Sequence, residues 1–271
     1  MTSLLGITST KSTKFLFTFG MSSFYDQTIK ILENQFSKMI EISIKKNFPT
    51  KKIKFKSKNK KNDYLLNEGM IMLEKRDHKN LSLLYDQIVR STSFYDIICD
   101  KKITSIINSL LGRSHNSNLY MNSSGIRMDI PGLTKFVYGW HQDSKSNIKN
   151  SNFIQLWLPP FYNINQKLGG LHILENSFKH NIKTSHTKIE IDKLKANLPL
   201  RASHNVKIFS KSHNFKEKIL TCNLGEGIFF NKWLMHKSGI NKTKNKMRYV
   251  LTTFYHDLYN PNWDFVSLDH K

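Results

Sequence analysis

The chain changes character near residue 118, and this change limits the folds open to it more than any other feature. Before it, apolar residues recur at steps of three and four, as at Ile29, Leu32 and Phe36, which is the spacing of amphipathic helices. After it, short runs rich in β-branched and aromatic residues alternate with Gly, Pro, Asn and Ser, which is typical of strands and turns. Helices followed by many strands predict an α+β, mainly β fold, namely a sandwich or barrel buttressed by N-terminal helices.

The order of these segments predicts one main domain over residues 26–271, a length that suits a single large β-rich unit. We expect helices over about 26–117, a barrel over about 118–260 and, within it, a lid-like insertion over about 178–217. Residues 1–25 contain no acid and include a short apolar run after Lys14, so they are an N-terminal arm or leader of uncertain status. A cytoplasmic location is the default expectation, and an organellar or exported form stays open.

The individual elements follow from the same patterns. Helices are predicted around residues 29–40, 81–88 and 103–111, with Gly112 where the third helix ends. The Lys-rich run 45–61 predicts a solvated loop, and a site for a polyanion or a membrane surface is the alternative. Strands are predicted over 126–130, 135–139, 152–158, 171–174, 218–222, 227–231 and 247–256.

The formal net charge of +22 raises the question of a nucleic-acid partner. Only six of the 42 basic residues are Arg, and the other 36 are Lys. Recognition of bases and phosphates relies on the forked guanidinium, which Lys does not imitate. Lys, Asn and Ile also share AT-rich codons, so an AT-rich genome raises the charge without selection for DNA binding. Nucleic acid is therefore not the expected partner, whereas an anionic small-molecule substrate stays open.

Composition excludes two further classes of protein. Only two cysteines are present, Cys99 and Cys222, which excludes a disulfide-stapled miniprotein. No apolar run approaches the roughly 18 residues that a membrane-spanning helix requires, so no membrane span is expected. The sequence contains no signal for a particular oligomeric state.

The first segment that points to chemistry is the run Gly-Trp-His-Gln-Asp at 139–143. Residues two apart in an extended strand point to the same face, so His141 and Asp143 can reach one ion. The candidate third ligand is His236, which follows a strand-like run ending at Asn231. Two imidazoles and one carboxylate on one side of a metal leave open positions on the other, which is the arrangement of non-haem Fe(II) oxygenases.

A basic residue in the last predicted strand adds weight to this reading. Arg248 shares one strand face with Val250 and Thr252, so its charge points into an otherwise apolar barrel interior. A buried guanidinium requires an anionic partner. Because acids are scarce in this region, a bound carboxylate is the predicted partner, in preference to an internal salt bridge.

An ordered set of motifs resembles the phytanoyl-CoA dioxygenase family. The resemblance extends from about residue 81 to 255 and implies a double-stranded β-helix, a jelly-roll or cupin-like barrel. It also implies dependence on Fe(II), on 2-oxoglutarate as cosubstrate and on O₂. The motifs that carry it are His141-Gln142-Asp143, Leu156-Trp157-Leu158-Pro159, Gly169-Gly170-Leu171-His172-Ile173, and His236-Lys237-Ser238-Gly239-Ile240-Asn241 followed by Arg248.

The resemblance implies a role for each matching residue. His141, Asp143 and His236 match the iron ligands of the family. Arg248 matches the residue that pairs with the distal carboxylate of 2-oxoglutarate, and Ser238 matches a neighbouring hydroxyl donor.

Two further residues have alternative interpretations. Trp157 matches a tryptophan beside the cosubstrate, and an ordinary core position is the alternative. Arg127 lies in another block that resembles the family, and its role is open between a structural ion pair and a substrate contact.

The implied reaction is hydroxylation, or another oxidation, of a C–H bond in a small-molecule metabolite, with release of succinate and CO₂. Asp143 favours hydroxylation, because related halogenases lack this carboxylate. One alternative is a nucleic-acid demethylase of the same fold, which usually has a second Arg where this chain has Phe254. The others are a non-catalytic metal-binding module that uses its Lys-rich surface, and a zinc hydrolase, which would leave Arg248 without a purpose.

Overall fold

The computed structural model describes residues 16–20, 23–50, 55, 57–113, 119–133, 137–143, 152–180 and 214–258. Most of the lid-like insertion predicted over 178–217 lies outside these residues, as do positions 1–15, 21 and 22 of the predicted N-terminal arm and positions 51–54 and 56 of the Lys-rich run. Within the described residues, no helix is both long enough and apolar enough to cross a membrane.

Helices make up the first part of the chain, as predicted. They are α1 (Ser23–Asn47), α2 (Lys58–Tyr64), α3 (Met70–Arg76), α4 (Lys79–Ile88), α5 (Thr92–Ile98) and α6 (Lys101–Leu110), with a π-helical turn at Leu65–Gly69 between α2 and α3. Side-chain caps fix several starts: Ser57 accepts from the Lys60 amide, Ser91 from the Phe94 amide and Asp100 from two amides of α6. Gly112 follows α6 with a φ of 71°, which confirms its predicted place at a helix end.

Strands dominate the second part, and most begin or end close to their predicted bounds. They are β1 (Leu16–Gly20), β2 (Leu119–Asp129), β3 (Phe153–Leu158), β4 (Leu171–Leu174), β5 (Glu217–Leu220), β6 (Glu226–Asn231), β7 (His236–Ser238) and β8 (Arg248–Asp257). One predicted strand is wrong, because residues 137–139 of the range 135–139 are not in a strand. Strand β2 starts earlier than predicted. Its pairing with β8 shifts register between Asn122 and Gly125, so the first part of the strand lacks the regular alternation on which the prediction relied.

The strands form two antiparallel sheets. The larger has the order β1-β6-β3-β8-β2 and the smaller the order β5-β4-β7. Strand β1 falls in the segment predicted as an N-terminal arm, and it pairs with β6. Helices, strands and antiparallel pairing together give the predicted α+β fold.

The larger sheet has two faces with different partners. The outer face packs against the helices and carries Leu156, Leu158, Tyr249 and Leu251, which share a core cluster with helical residues such as Phe36. The inner face packs against the smaller sheet and carries Trp157, Ile228, Phe230 and Val250, which cluster with Leu171 and Ile173 of β4. The two sheets therefore enclose a second core between them, as in sandwiches and jelly-rolls.

Candidate metal centre

The three predicted metal ligands lie together at one edge of the smaller sheet. His141 and His236 form a backbone bridge, since each amide donates to the other residue's carbonyl at 2.9 and 3.0 Å. Next along the same pairing, the Ser238 amide donates to the Tyr138 carbonyl at 3.0 Å. The segment that carries His141 and Asp143 therefore runs antiparallel to β7, which brings ligands 95 residues apart in sequence to one point.

The ligand atoms converge closely enough for one ion. The Asp143 carboxylate lies 3.6 Å from His141 Nε2 through one oxygen and 3.5 Å from His236 Nε2 through the other. All three ligand atoms lie within 4.8 Å of one another, and among the described residues this is the one group of three or more such side chains that could hold a metal. Asp143 and His236 are buried, and His141 is partly exposed.

The backbone determines which ring nitrogen of each histidine faces the site. His141 Nδ1 lies 2.7 Å from the Gly139 carbonyl, and His236 Nδ1 lies 3.0 Å from the Leu234 carbonyl. A carbonyl only accepts, so each Nδ1 carries the proton and each Nε2 presents a lone pair to the site. Burial raises the pKa of the Asp143 carboxyl above its ordinary value, and the nearby His141 only partly opposes this shift. Two lone pairs and a carboxylate in a buried space fit a divalent cation.

Gln142 holds the ligand segment in place, a role that the sequence pattern did not reveal. Its side chain is buried, and its amide nitrogen donates to the carbonyls of His180 and Trp233. It thereby ties the His141 segment to the loop that leads into β7. The alternation that points His141 and Asp143 to one side points Gln142 to the other, so the His-Gln-Asp spacing could have suggested this anchor.

Ser177 is a second supporting residue that sequence reasoning missed. It is fully buried; its hydroxyl donates to the Leu174 carbonyl at 2.7 Å and accepts from the Met235 amide at 2.9 Å. Ser177 thus fixes the residue before His236 against the end of β4. A buried serine in a 3-10 turn, Ser177–Lys179, gives no distinctive sequence signal for such a role.

Arg248 points to the inner face, as predicted, but the expectation that it has no acidic protein partner is wrong. Its Nη1 donates to Asp129 Oδ2, and Asp129 also accepts from Arg127 Nε at 3.1 and 3.2 Å. Asp129 lies opposite Arg248 in the β2–β8 register. The two residues are 119 positions apart, so a scan of the sequence around Arg248 does not find this acid.

The remaining nitrogens of Arg248 form an open edge of the guanidinium. Arg248 is fully buried, and its Nε and Nη2 have no hydrogen-bond partner in the described part of the chain. Burial lowers the pKa of Arg248, and Asp129 opposes this shift. Nε and Nη2 lie on one edge and can donate in parallel to one carboxylate. The arrangement therefore offers a buried two-point site for an anion.

The helices hold Arg248 in position from the outer face. Asn67, in the π-helical turn, accepts from the Met247 amide at 2.9 Å, immediately before Arg248. Tyr249, immediately after it, donates its hydroxyl to the Leu66 carbonyl at 2.5 Å. The start of β8 is thus fixed to the helical layer on both sides of Arg248.

Trp157 and Ser238 also lie on the side that faces the site. The Trp157 ring is buried on the inner face, with its centroid 5.9 Å from Arg248 Cζ. Ser238 lies opposite Leu171 in the β4–β7 register, on the same face as His236. Just beyond Ser238, the backbone segments that carry Gly239 and Gly170 approach each other closely. A Cβ on residue 239 would lie 2.3 Å from the Gly170 carbonyl oxygen, so only glycine fits there.

His172 has the contacts of a structural histidine. His172 lies on β4, and its Nδ1 is 2.5 Å from a carboxylate oxygen of Glu217 on β5. It is not part of the metal group. Arg127 has an ion pair with Asp129, which is one of the two roles left open for it, and it also stacks over the Tyr138 ring at 4.6 Å.

No family model matches the chain, and no curated protein sequence matches it. Solved structures do match, at low sequence identity. EctD from S. alaskensis in its apoform has a TM-score of 0.58 at 13% identity, over 94% of this chain and 78% of that one. EctD with bound Fe has a TM-score of 0.57 at 12% identity over the same shares. EvdO2 from Micromonospora carbonacea var. aurantiaca, complexed with 2-oxoglutarate, has a TM-score of 0.51 at 13% identity, over 95% and 94%.

These likenesses establish a shared fold. The chain also spans 62% and 60% of the length of two structures of the epimerase SnoN, at TM-scores of 0.49 and 0.45, which are too low to count toward the fold.

Proposed function

We propose that this protein is an Fe(II)- and 2-oxoglutarate-dependent oxygenase that oxidises a C–H bond of a small-molecule metabolite. The observation that carries the proposal is the pairing of two features: a buried His-Asp-His group with converging lone pairs, and a buried Arg248 with an open two-nitrogen edge. A metal site alone would fit many proteins. The additional buried anion site fits a metal-bound cosubstrate with a second carboxylate.

The iron ligands would be His141 Nε2, His236 Nε2 and a carboxylate oxygen of Asp143. When bound, iron and 2-oxoglutarate supply the oxidation, in which O₂ is consumed and succinate and CO₂ are released. The protein's part is to orient the histidines through the carbonyls of Gly139 and Leu234, and to keep Asp143 buried. EctD with bound Fe and EvdO2 complexed with 2-oxoglutarate share the fold, which supports this assignment.

Arg248 would bind the distal carboxylate of 2-oxoglutarate through Nε and Nη2, with the Ser238 hydroxyl as a second donor and the Trp157 ring as a wall beside it. Two parallel charge-assisted hydrogen bonds fix direction as well as position. They would present one orientation of the keto acid to the metal group. Because Arg248 is fully buried, these bonds would form without competition from water.

The finer assignments belong to the same proposal. We place the protein in the phytanoyl-CoA dioxygenase family and propose that its two sheets form a double-stranded β-helix. We propose a cytoplasmic location. We expect hydroxylation as the reaction, because Asp143 retains the carboxylate ligand. Phe254 stands where nucleic-acid demethylases of this fold usually have a second Arg, which favours a small-molecule substrate.

The proposal is tested by turnover. Protein reconstituted anaerobically with Fe(II) is mixed with 2-oxoglutarate, O₂ and a panel of metabolites that includes anionic, acyl-thioester and amino-acid-like compounds, and succinate is measured. We expect succinate to depend on iron and O₂, to rise with at least one panel member, and to be absent in Asp143→Ala. Tight binding of Fe(II) without succinate across the panel would instead support a non-catalytic metal-binding module.

A further inference from the structure

We propose that Asp129 is a positioning residue for the cosubstrate: it holds Arg248 through Nη1, so that Nε and Nη2 face the distal carboxylate of 2-oxoglutarate. The inference rests on the proposed function and assigns a residue that neither the motifs nor the fold likeness identify. Asp129 does not touch the cosubstrate in this account. It acts through Arg248.

Asp129 is fixed from several directions. Its side chain is buried, and its carboxylate accepts from Arg127 Nε through both oxygens and from Arg248 Nη1 through Oδ2. Its backbone carbonyl accepts from Asn241 Nδ2 at 3.1 Å, and the same nitrogen donates to the Lys246 carbonyl at 2.7 Å. Asn241 therefore joins the backbone of Asp129 to the segment that leads into β8.

The contact with Nη1 decides which edge of Arg248 remains open. A guanidinium can bind a carboxylate end-on through Nη1 and Nη2, or side-on through Nε and Nη2. Because Asp129 occupies Nη1, only the side-on edge is left, and its two nitrogens have no partner in the described residues. The orientation of an incoming carboxylate is thus fixed before it binds.

The charges of the cluster fit the same role. Arg127 and Arg248 contribute two positive charges and Asp129 one negative charge, so the cluster keeps an excess of one positive charge. Asp129 compensates Arg248 while the site contains no ligand, which lowers the cost of burying the guanidinium. A ligand carboxylate would then complete the neutralisation.

Two substitutions separate position from charge. Asp129→Asn keeps an acceptor at the same distance from Arg248 Nη1 and removes the charge. Asp129→Glu keeps the charge and moves the carboxylate by one methylene. If position matters, Asn preserves the selectivity of the site and Glu impairs it.

The readout is selectivity between two keto acids. Pyruvate has the 2-oxo acid group that chelates iron and lacks the distal carboxylate, so Arg248 does not contribute to its binding. Dissociation constants for 2-oxoglutarate and pyruvate are measured anaerobically on the Fe(II) protein from the visible charge-transfer band, with isothermal titration as a second method. A loss of overall structure would weaken the binding of both keto acids, whereas a loss of Arg248 alignment weakens the binding of 2-oxoglutarate alone.

We expect the preference for 2-oxoglutarate over pyruvate to fall about tenfold or more in Asp129→Glu and to change less than about threefold in Asp129→Asn. Asp129→Ala should lower the preference for 2-oxoglutarate over pyruvate as much as Asp129→Glu does. The matched control is Asp257→Asn, because Asp257 is also a buried acid at a β2–β8 pair, binds Arg113 at 2.8 Å and lies at the opposite end of β8 from Arg248. It should leave both constants unchanged.

The inference is overturned if folded Asp129→Glu keeps the wild-type preference for 2-oxoglutarate over pyruvate. It is also overturned if the Asp129→Asn and Asp129→Glu variants both weaken the binding of the two keto acids equally. If wild-type protein binds Fe(II) and neither keto acid, the proposed function itself fails, and the inference fails with it. The wild-type titration separates these two cases.

Discussion

The two faces of the larger sheet use the same strands for different purposes. On the outer face of β8, the buried hydroxyl of Tyr249 donates to Leu66 and that of Tyr255 donates to Ile98 at 2.7 Å, so each polar atom is satisfied by a helix. On the inner face, the guanidinium of Arg248 and the amide oxygen of Gln155 are buried and keep unpartnered atoms within the described structure. Buried polar groups are normally paired, so the inner face is incomplete without a ligand.

This difference between the two faces follows from the alternation of side chains along each strand. Neighbouring residues of one strand point to opposite faces, so a single strand supplies both a packed helix contact and a functional side chain. Phe229 and Phe230 illustrate it on β6: Phe229 belongs to the helix-side core, whereas the Phe230 ring lies 4.8 Å from the ring of His236. Substitutions on the outer face should change stability, and those on the inner face should change ligand binding.

The largest effect is expected on the outer face. Phe229→Ala removes a fully buried ring from the helix-side core and should lower the free energy of unfolding by about 3–5 kcal/mol. Urea denaturation measures the change. The folded protein should still bind Fe(II) with wild-type affinity. A loss of iron affinity larger than the loss of stability would break the proposed separation of the faces.

On the inner face, Arg248→Ala should weaken binding of 2-oxoglutarate by about 2–5 kcal/mol, because it removes both open donors of the buried guanidinium. Fe(II) binding should be retained, since Arg248 is not among the metal-ligating side chains. Isothermal titration with each ligand checks both statements. Unchanged affinity for 2-oxoglutarate would show that the anion site lies elsewhere.

A titratable inner-face residue should make stability depend on pH. Burial, with a smaller contribution from Lys232, lowers the pKa of His256 from 6.5 to about 4. Between these values the unfolded chain binds a proton that the folded chain does not, so stability falls as the pH decreases from 6.5 to 4. The contribution is on the order of 2 kcal/mol.

His256→Gln removes this titration and should reduce the slope of unfolding free energy against pH in that window. Urea denaturation of both proteins at pH 7 and pH 4.5 gives the comparison. Identical slopes would mean that His256 is equally protonated in the folded and unfolded states.

The smallest effect is expected at the surface of the helical layer. Glu41 on α1 pairs with Lys61 at 2.8 Å and Lys45 at 3.1 Å, which lowers its pKa to about 2. Stability from these pairs is present above pH 4.5 and is lost as the pH falls toward 2. Because Lys45 is solvent-exposed and Lys61 is partly exposed, Glu41→Gln should cost less than about 1 kcal/mol, and the cost should shrink at high salt. A larger loss of unfolding free energy would mean that the Glu41 ion pairs are an important structural network of the helical layer.

Alternation within a short segment predicted that His141 and Asp143 face one side and that Arg248 points inward. His236, 95 residues away, was found from its position after a strand-like run and from the family motifs. The partner of Arg248 was missed, because it depends on the register between β2 and β8, which no local pattern encodes. Helix α2 was also missed: within its Lys-rich sequence only Asn62 is buried, so it lacks the apolar stripe by which α4 and α6 were recognised. The anchors Gln142 and Ser177 bind backbone atoms, so their partners cannot be identified from the sequence, although alternation places Gln142 on the side opposite His141 and Asp143.

The most direct test of the central claim is anaerobic visible spectroscopy of the protein with Fe(II) and 2-oxoglutarate. If His141, Asp143 and His236 hold iron on a face that also binds the keto acid, a weak charge-transfer band appears when both ligands are present. The band should be absent in folded His141→Ala. Folded wild-type protein that binds Fe(II) and gives no band with saturating 2-oxoglutarate would contradict the account.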